Sequence, residues 1–258
     1  MSQEKLEFMN RDNKKIVVII DYVKNSKGLA IVMHGLGGLK EQPHIVTFSE
    51  AFLESGYTVV RFDVTHTFGE SEGNYENATT TNYYNDLCDV ITWAKDQKWY
   101  QEPFILAGHS LGGISVALFA ENYPEKVKAV APISTVISGK LHAEAIPKEK
   151  LDEYNKTGWK ISPSKSIPGL MKKLNWKKFT NDLEKYDLLD KVNKLTMPVL
   201  LITGESDGGT PPRHQRILYE KLPGKKELHI IKNAPHTFKE KEHLDEIKAI
   251  FLQWIKKI

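Results

Sequence analysis

The sequence predicts an α/β fold with a mostly parallel central sheet of about eight strands, helices on both faces and a small helical cap. Three observations predict it. Short apolar runs alternate with segments of helical periodicity along most of the 258 residues, as strand-helix-strand crossover units do. A Gly-x-Ser-x-Gly turn joins one such strand to one such helix. Between residues 134 and 195 the alternation stops, which indicates an insertion over the sheet.

The composition bounds the organisation of the chain. A length of 258 residues suits one domain with a single sizeable core, so we predict one domain over 1–258 with a cap, 134–195, inserted in it. The net charge of +3 is too small to indicate a nucleic-acid partner. The only cysteine is Cys88, which excludes an intramolecular disulfide and a cysteine-based zinc site and fits a reducing compartment.

The amino-terminal residues and the apolar runs bear on localisation. Residues 1–7 are charged and polar where a secretory signal would have its apolar core. The longest apolar runs, such as 16–20, are far too short to span a bilayer and are typical of strands. We therefore expect a cytoplasmic protein without a stable membrane anchor. The sequence leaves open whether it forms a homodimer.

The first half of the chain begins with a predicted hairpin. Strands over 6–9 and 16–22 are separated by a polar turn, so antiparallel pairing is the simplest account. A third strand, 29–33, leads into the glycine-rich turn 34–38, where backbone N–H groups can point outward. The elements that follow are a helix over 44–53, a strand over 58–62, a long polar loop over 63–81 and a helix face from 83 to 94. A loop of that length at a strand end is typical of function.

The turn that contains Ser110 is the strongest local signal. Residues 104–107 suit a buried strand, and the apolar residues after 113 recur at helical spacing. In that context Gly108, Ser110 and Gly112 form the nucleophile elbow, which exposes a serine hydroxyl above a sheet and turns the next backbone N–H toward a reacting carbonyl oxygen.

The second half of the chain supplies further elements and the insertion. Its expected strands and helices are a strand over 127–133, a strand over 198–204, a helix around 213–221, a strand over 228–231 and an amphipathic helix over 244–255. Within the insertion, residues 154–181 contain seven lysines, no acidic residue and interleaved apolar side chains. The simpler interpretation is a basic surface helix that packs on the core. The alternative is a lid with an apolar face toward an acyl or aromatic pocket and lysines that meet an anionic substrate or a membrane surface. The lid would then contact substrate through Trp159, Leu170 and Trp176.

Two loops supply partners for the serine. A serine hydroxyl needs a base at neutral pH, and His236 follows a predicted strand on a loop that can reach the same sheet end. An imidazole base needs a carboxylate to hold its tautomer, and Asp207, just past the strand that ends at Gly204, is the choice. Glu205 is the reserve. The other histidines lie within elements, in the turn 34–38 or beside the serine, which makes them weaker candidates.

The motifs together resemble the α/β-hydrolases, and among those the chain is similar to small serine esterases grouped with cinnamoyl (feruloyl) esterases and monoacylglycerol lipase-like enzymes. The resemblance covers nearly the whole length. Its motifs are residues 34–38, 61–63, 69–73 and 108–113, Gly204 with Asp207, residues 210–211 and residues 234–236. Many relatives read Arg-Gly-His-Gly-x-Ser where residues 65–71 here read Thr-His-Thr-Phe-Gly-Glu-Ser, so the resemblance does not fix substrate choice.

The resemblance implies roles for particular residues. It implies Ser110 as nucleophile, His236 as base, Asp207 as orienting acid and the backbone N–H groups of Leu36 and Leu111 as the oxyanion hole. The implied activity is cleavage of a small-molecule carboxylic ester. Lysophospholipase, monoacylglycerol lipase, thioesterase and small-peptidase activities stay open, as does a non-catalytic ligand-binding receptor.

No metal or organic cofactor is expected. The loop residues Asp63 and His66 could be imagined as metal ligands, but the sequence offers no third clustered donor. We therefore interpret them as polar groups of the loop.

Overall fold

The centre of the fold is an eight-stranded sheet in a computed structural model that describes residues 2–164 and 167–258. Its strands are β1 (Ser2–Met9), β2 (Lys15–Tyr22), β3 (Leu29–Met33), β4 (Thr58–Phe62), β5 (Phe104–His109), β6 (Val127–Ile133), β9 (Val199–Gly204) and β10 (Lys226–Ile231). The cap hairpin, which is separate from the sheet, contains β7 (Trp159–Pro163) and β8 (Met171–Asn175).

The sheet is parallel except at one end. Its order is β1-β2-β4-β3-β5-β6-β9-β10, with β1 antiparallel to β2 and β2 antiparallel to β4. The remaining pairs are parallel. The predicted fold class and the predicted amino-terminal hairpin are confirmed. Strand β1 begins at Ser2, earlier than its apolar residues indicate, because an edge strand can keep polar side chains in solvent while its backbone pairs with β2.

Helices cover both faces of the sheet. In chain order the helices are α1 (Pro43–Glu54), α2 (Thr80–Ala94), α3 (Leu111–Asn122), α4 (Gly139–Glu144), α5 (Lys148–Thr157), α6 (Trp176–Leu183), α7 (Pro212–Lys221) and α8 (Lys241–Ile255). Helices α1 and α8 contribute Phe48, Phe251 and Trp254 to the apolar cluster on one face. Helices α2 and α3 contribute Leu87, Ile114 and others to the cluster on the opposite face.

Alternation along the strands divides the core between these two clusters. In β3, Ala30 and Val32 belong to the α1/α8 side, whereas Leu29, Ile31 and Met33 belong to the α2/α3 side. All five are fully buried. A strand whose two faces are both covered needs apolar residues at every position, which is why these segments appear as unbroken apolar runs in the sequence.

The insertion, residues 134–195, lies between β6 and β9. It carries the expected helices, here α4, α5 and α6, and in addition the β7–β8 hairpin, which is a difference from the predicted all-helical cap. No apolar run marks the hairpin, because lysine, serine, asparagine and proline occupy most positions of its two strands. Throughout the described residues, no helix has the length and apolar character needed to cross a bilayer.

Candidate active site

The elbow holds Ser110 in a strained conformation between β5 and α3. Ser110 has φ 56° and ψ −113°, a positive φ that non-glycine residues rarely adopt. The two flanking glycines allow this turn. A Cβ on Gly108 would lie 2.4 Å from the Gly112 carbonyl oxygen, and a Cβ on Gly112 would lie 2.4 Å from the His34 carbonyl oxygen. Only glycine at both positions lets strand and helix approach this closely.

The structure brings the three sequence-predicted side chains into one hydrogen-bonded chain. His236 Nε2 lies 3.0 Å from Ser110 Oγ, and His236 Nδ1 lies 2.8 Å from Asp207 Oδ2. Asp207 follows β9 and His236 follows β10, so both loops start at the sheet edge where β5 ends. The reserve candidate Glu205 is turned elsewhere and accepts the Asn233 N–H at 2.9 Å.

Asp207 is buried, and both of its carboxylate oxygens accept hydrogen bonds. Oδ1 accepts the backbone N–H groups of Gly209 and Thr210, each at 2.9 Å, and Oδ2 accepts the Thr210 hydroxyl at 2.8 Å. Burial acts to raise the pKa of Asp207, but hydrogen bonds from His236 and Thr210 outweigh it and hold that pKa well below its usual range. The carboxylate is therefore charged throughout the neutral range and fixes the proton of His236 on Nδ1.

His109, set aside in the sequence analysis, supports the imidazole from behind. Its ring centroid is 4.7 Å from that of His236, and its Nε2 lies 2.7 Å from the His236 carbonyl oxygen. Burial, together with the nearby His44, lowers the pKa of His109 well below its usual value. A neutral His109 whose Nε2–H donates to that carbonyl fixes the main chain that carries His236.

The predicted oxyanion donors border the same cavity as Ser110. Leu111 is the first residue of α3, so its N–H has no acceptor within the helix. Leu36 lies between Gly35 and Gly37, and Tyr83 forms a hydrogen bond with each of these two neighbours. The buried Tyr83 hydroxyl donates to the Gly35 carbonyl at 2.9 Å and accepts the Gly37 N–H at 3.2 Å. The apolar spacing of α2 predicts Tyr83 on a helix face and gives no signal of this contact.

His34 fixes the other side of the same loop. Its Nε2 accepts the Val64 N–H at 3.0 Å, which leaves the proton on Nδ1 to be donated to the Gly35 carbonyl at 2.8 Å. Burial lowers the pKa of His34 and favours this neutral form. The imidazole thus joins the glycine-rich turn to the segment after β4.

The two loop residues considered as metal ligands have other partners. Asp63 is fully buried and accepts from the Lys40 ammonium at 2.7 Å and from the Glu70 N–H at 2.8 Å. His66 Nδ1 accepts the Asn74 N–H at 3.0 Å within the turn 66–74. Over residues 2–164 and 167–258, no three His, Cys, Asp or Glu residues are grouped as a metal site would require.

A cavity of about 490 Å³ opens over Ser110 and is closed on its other side by the insertion. Its apolar wall includes Val136, Tyr154 and Phe179, and its polar wall includes Ser162 and three lysines of the insertion.

The three residues predicted to contact substrate, Trp159, Leu170 and Trp176, are not among its lining residues. Strand alternation turns Trp159 to the face of the hairpin opposite Ser162. Trp176 is 1% exposed, and its Nε1–H donates to Asn155 at 2.9 Å beneath the cap helices.

Two family models match the chain. The model described as X-Pro dipeptidyl-peptidase (S15 family) matches residues 9–162, and the model described as PhoPQ-activated pathogenicity-related protein matches residues 87–258. Each match spans more than half of the chain, and the overlap contains the elbow.

Individual relatives are more distant. An uncharacterized 31.7 kDa protein in the traX-finO intergenic region of Escherichia coli is 25% identical over 89% of this chain and 90% of its own length. Palmitoyl-protein thioesterase ABHD10, mitochondrial, of Bos taurus is 28% identical over 74% of this chain and 61% of its own length. The solved structure of ferulic acid-bound Est1E from Butyrivibrio proteoclasticus has a TM-score of 0.83 at 24% identity and covers 98% of both chains.

The likeness to Est1E, at 24% identity, shows a shared fold. The two family models match the sequence itself. The chain belongs to the α/β-hydrolase superfamily, in the part of it that the S15 and PhoPQ-related family models describe.

Proposed function

We propose that this protein is a serine hydrolase that cleaves carboxylic esters through an acyl-enzyme intermediate. The observation that carries the proposal is the chain of contacts from Ser110 Oγ through His236 to the buried Asp207, at the floor of the cavity. Asp207 accepts the proton on His236 Nδ1, so His236 Nε2 is left to accept the proton of Ser110, as a general base requires. A protein that only binds ligands has no need for this arrangement.

The first half of the reaction acylates the enzyme. His236 Nε2 takes the proton of Ser110 as Oγ attacks the ester carbonyl, and the N–H groups of Leu36 and Leu111 stabilise the oxyanion. Asp207 stabilises the imidazolium that forms. His236 then gives its proton to the departing alkoxide, and the C–O bond to the alcohol breaks.

The second half releases the acid. Water takes the place of the alcohol, His236 removes its proton, and the hydroxide adds to the acyl carbonyl. Collapse of the tetrahedral intermediate returns the proton to Ser110 Oγ. The cycle consumes one water and one ester and yields one acid and one alcohol.

The second candidate is thioester cleavage. It is favoured by the similarity to ABHD10, which is a palmitoyl-protein thioesterase. The same serine mechanism serves both substrates, because a thiolate leaves at least as readily as an alkoxide. Peptidase, lysophospholipase and monoacylglycerol lipase activities are further alternatives that the same site chemistry admits.

The decisive experiment is Ser110→Ala with short 4-nitrophenyl esters and a fluorophosphonate probe. We expect turnover to fall by about a million-fold and labelling to disappear, because no other group can form the acyl bond. Far-ultraviolet circular dichroism and melting controls establish that the variant folds. Residual activity within tenfold of the parent, or labelling of the variant, would reject Ser110 as nucleophile.

A substrate panel then separates the candidates. Methyl ferulate, monoacylglycerols, 4-nitrophenyl esters of graded length, acyl thioesters and proline-containing dipeptide amides are compared by kcat/KM. We expect kcat/KM to be highest for the esters. A kcat/KM more than tenfold higher for the thioesters would favour the second candidate, and a higher kcat/KM for the dipeptide amides would replace both candidates.

A further inference from the structure

Among the described residues that line the cavity, the permanently charged side chains are all lysines. Three lysines line it, Lys150 of α5, Lys160 of β7 and Lys172 of β8, whereas none of the described lining residues is Asp or Glu. A cavity with low-dielectric walls concentrates the field of such charges, so the potential inside it favours anions.

The register of the hairpin places Lys160 and Lys172 on the same side. Ser162 pairs directly with Lys172, and Lys160 stands two residues before Ser162 on its strand. Side chains alternate along a strand, so these three share the face that borders the cavity. Lys173 belongs to the opposite face, where its Nζ lies 4.1 Å from the centroid of the Trp159 ring.

Aromatic rings flank the two cavity lysines of the hairpin, Lys160 and Lys172. Lys160 Nζ is 5.6 Å from the ring centroid of the buried Trp176, and Lys172 Nζ is 5.9 Å from that of Tyr75, which also lines the cavity. Both lysines are half-buried. Lys160 also acts on the lining residue His142, because burial first and the charge of Lys160 second lower the pKa of His142 to about 3.

We propose that the ester cleaved at Ser110 carries an anionic group, such as a carboxylate, away from its scissile bond, and that Lys160 and Lys172 bind this group. The inference rests on the proposed function and names the class of its substrate. The apolar wall at Val136 and Phe179 contacts the uncharged part of the same molecule. The hairpin thus selects the substrate, and the sheet edge performs the chemistry.

The test compares charged esters with uncharged esters of matched size. One pair places the anion on the acyl side, as the 4-nitrophenyl monoester of suberic acid against 4-nitrophenyl octanoate. The other pair places it on the alcohol side, as the butanoyl ester of 3-(4-hydroxyphenyl)propanoate against that of its methyl ester. We expect kcat/KM to favour the anionic member of at least one pair tenfold or more, since a hydrogen bond to a charged group contributes about one factor of ten.

The variants assign the preference to residues. Lys160→Gln/Lys172→Gln should lose tenfold or more on the anionic ester and less than twofold on its neutral partner. Lys173→Gln is the matched control, next to Lys172 on the same strand, and should leave both values unchanged. Raising the ionic strength from 0.05 to 0.5 M should weaken the preference in the parent and not in the double variant.

Two results would overturn the inference: no preference for the anion in either pair, or an equal loss in Lys173→Gln. The rate of fluorophosphonate labelling, which needs no anion, reports whether each variant keeps its site, and single variants replace a double variant that does not fold. If the parent itself is not labelled, the proposed function fails and this inference fails with it. If the parent is labelled and hydrolyses both members of each pair equally, only this inference fails.

Discussion

The sheet edge at Ser110 and the cap hairpin border the same cavity but are built by different means. At the edge, glycines pack against backbone without room for a methyl group, and each Asp207 oxygen has two donors. On the hairpin, Ile161 and Met171 are 54% and 57% exposed, and long lysines provide most of the polar groups. The contrast indicates that the fold fixes the proposed reacting groups, whereas the hairpin can change its side chains, and with them the proposed substrate contacts, at little cost in stability.

Asp207→Asn tests the tightly packed sheet edge and has the largest expected effect. An amide presents an N–H or an oxygen to His236 but no charge, so it neither holds the tautomer nor stabilises the imidazolium. We expect kcat to fall by about 10⁴ with KM little changed. Steady-state kinetics on a 4-nitrophenyl ester measures this, with melting temperature as the control for folding. A loss below tenfold would contradict the role given to Asp207.

Glu121→Gln tests a buried carboxyl group at the other end of α3, the helix that follows Ser110. Glu121 is 4% exposed in the last turn of α3, and burial first, then Asp187 and Asp190, raise its pKa to about 8 against the effect of Lys191. Between about pH 4.5 and 8 the folded protein holds a proton that the unfolded chain releases, so stability falls as pH rises through this window.

The Glu121 variant removes that dependence. We expect its free energy of unfolding, relative to the parent, to increase by roughly 2–4 kcal/mol between pH 5 and pH 9. Urea denaturation at several pH values measures the difference. Glu125→Gln, in the turn after α3, is the matched control and should show no such trend. A pH-independent difference would mean that Glu121 is not protonated in the folded protein at pH 5–7.

Tyr83→Phe removes the hydroxyl that holds Gly35 and Gly37 on either side of Leu36. We expect kcat to fall tenfold to a hundredfold with KM nearly constant. This decrease is smaller than that from removing an oxyanion donor, because the Leu36 N–H would be misplaced but still present. Tyr84→Phe, on the same helix, loses a 2.9 Å contact with Asn122, away from the loop 35–37, and serves as control. Equal kinetics for the two variants would exclude a positioning role for Tyr83.

Asp182→Asn weakens the link between the cap and the body and has the smallest expected effect. Asp182 of α6 accepts the Thr81 N–H at 2.8 Å and the Thr81 hydroxyl at 2.6 Å, at the positive end of α2. We expect KM to rise threefold to tenfold, with kcat changed less than twofold. Lys185→Gln removes a contact to the same carboxylate without touching Thr81, and should leave KM unchanged. A change in kcat alone would contradict this division of roles.

Local patterns predicted the sheet and the grouping of Ser110, Asp207 and His236 because both depend on short-range chemistry. Buried parallel strands need apolar residues at every position, and the elbow needs glycines on both sides of Ser110. Asp207 and His236 could be chosen because each follows a strand whose carboxyl end must lie at the same edge.

The contacts that local patterns missed depend on how separate elements pack. The Tyr83 hydroxyl has its role only because α2 crosses the loop 35–37, and the spacing of apolar residues along α2 gives no information on that crossing. The lid alternative turns Trp176 toward the cavity, whereas the simpler interpretation packs the apolar residues of this segment on the core, as Trp176 does here. The hairpin has no apolar run that would predict it, because lysine, serine, asparagine and proline occupy most positions of its two strands.

The amino-terminal turn of α2 connects two parts of the molecule that are otherwise far apart in the chain. Thr81 contacts the cap through Asp182, and Tyr83, two residues later, contacts the loop around Leu36. Any outward movement of α6 would pull on Thr81, and the same turn of helix would pass that force to the loop that carries the Leu36 N–H. An open cap and an aligned Leu36 N–H would then exclude one another, so that bond cleavage would begin only after the substrate is enclosed.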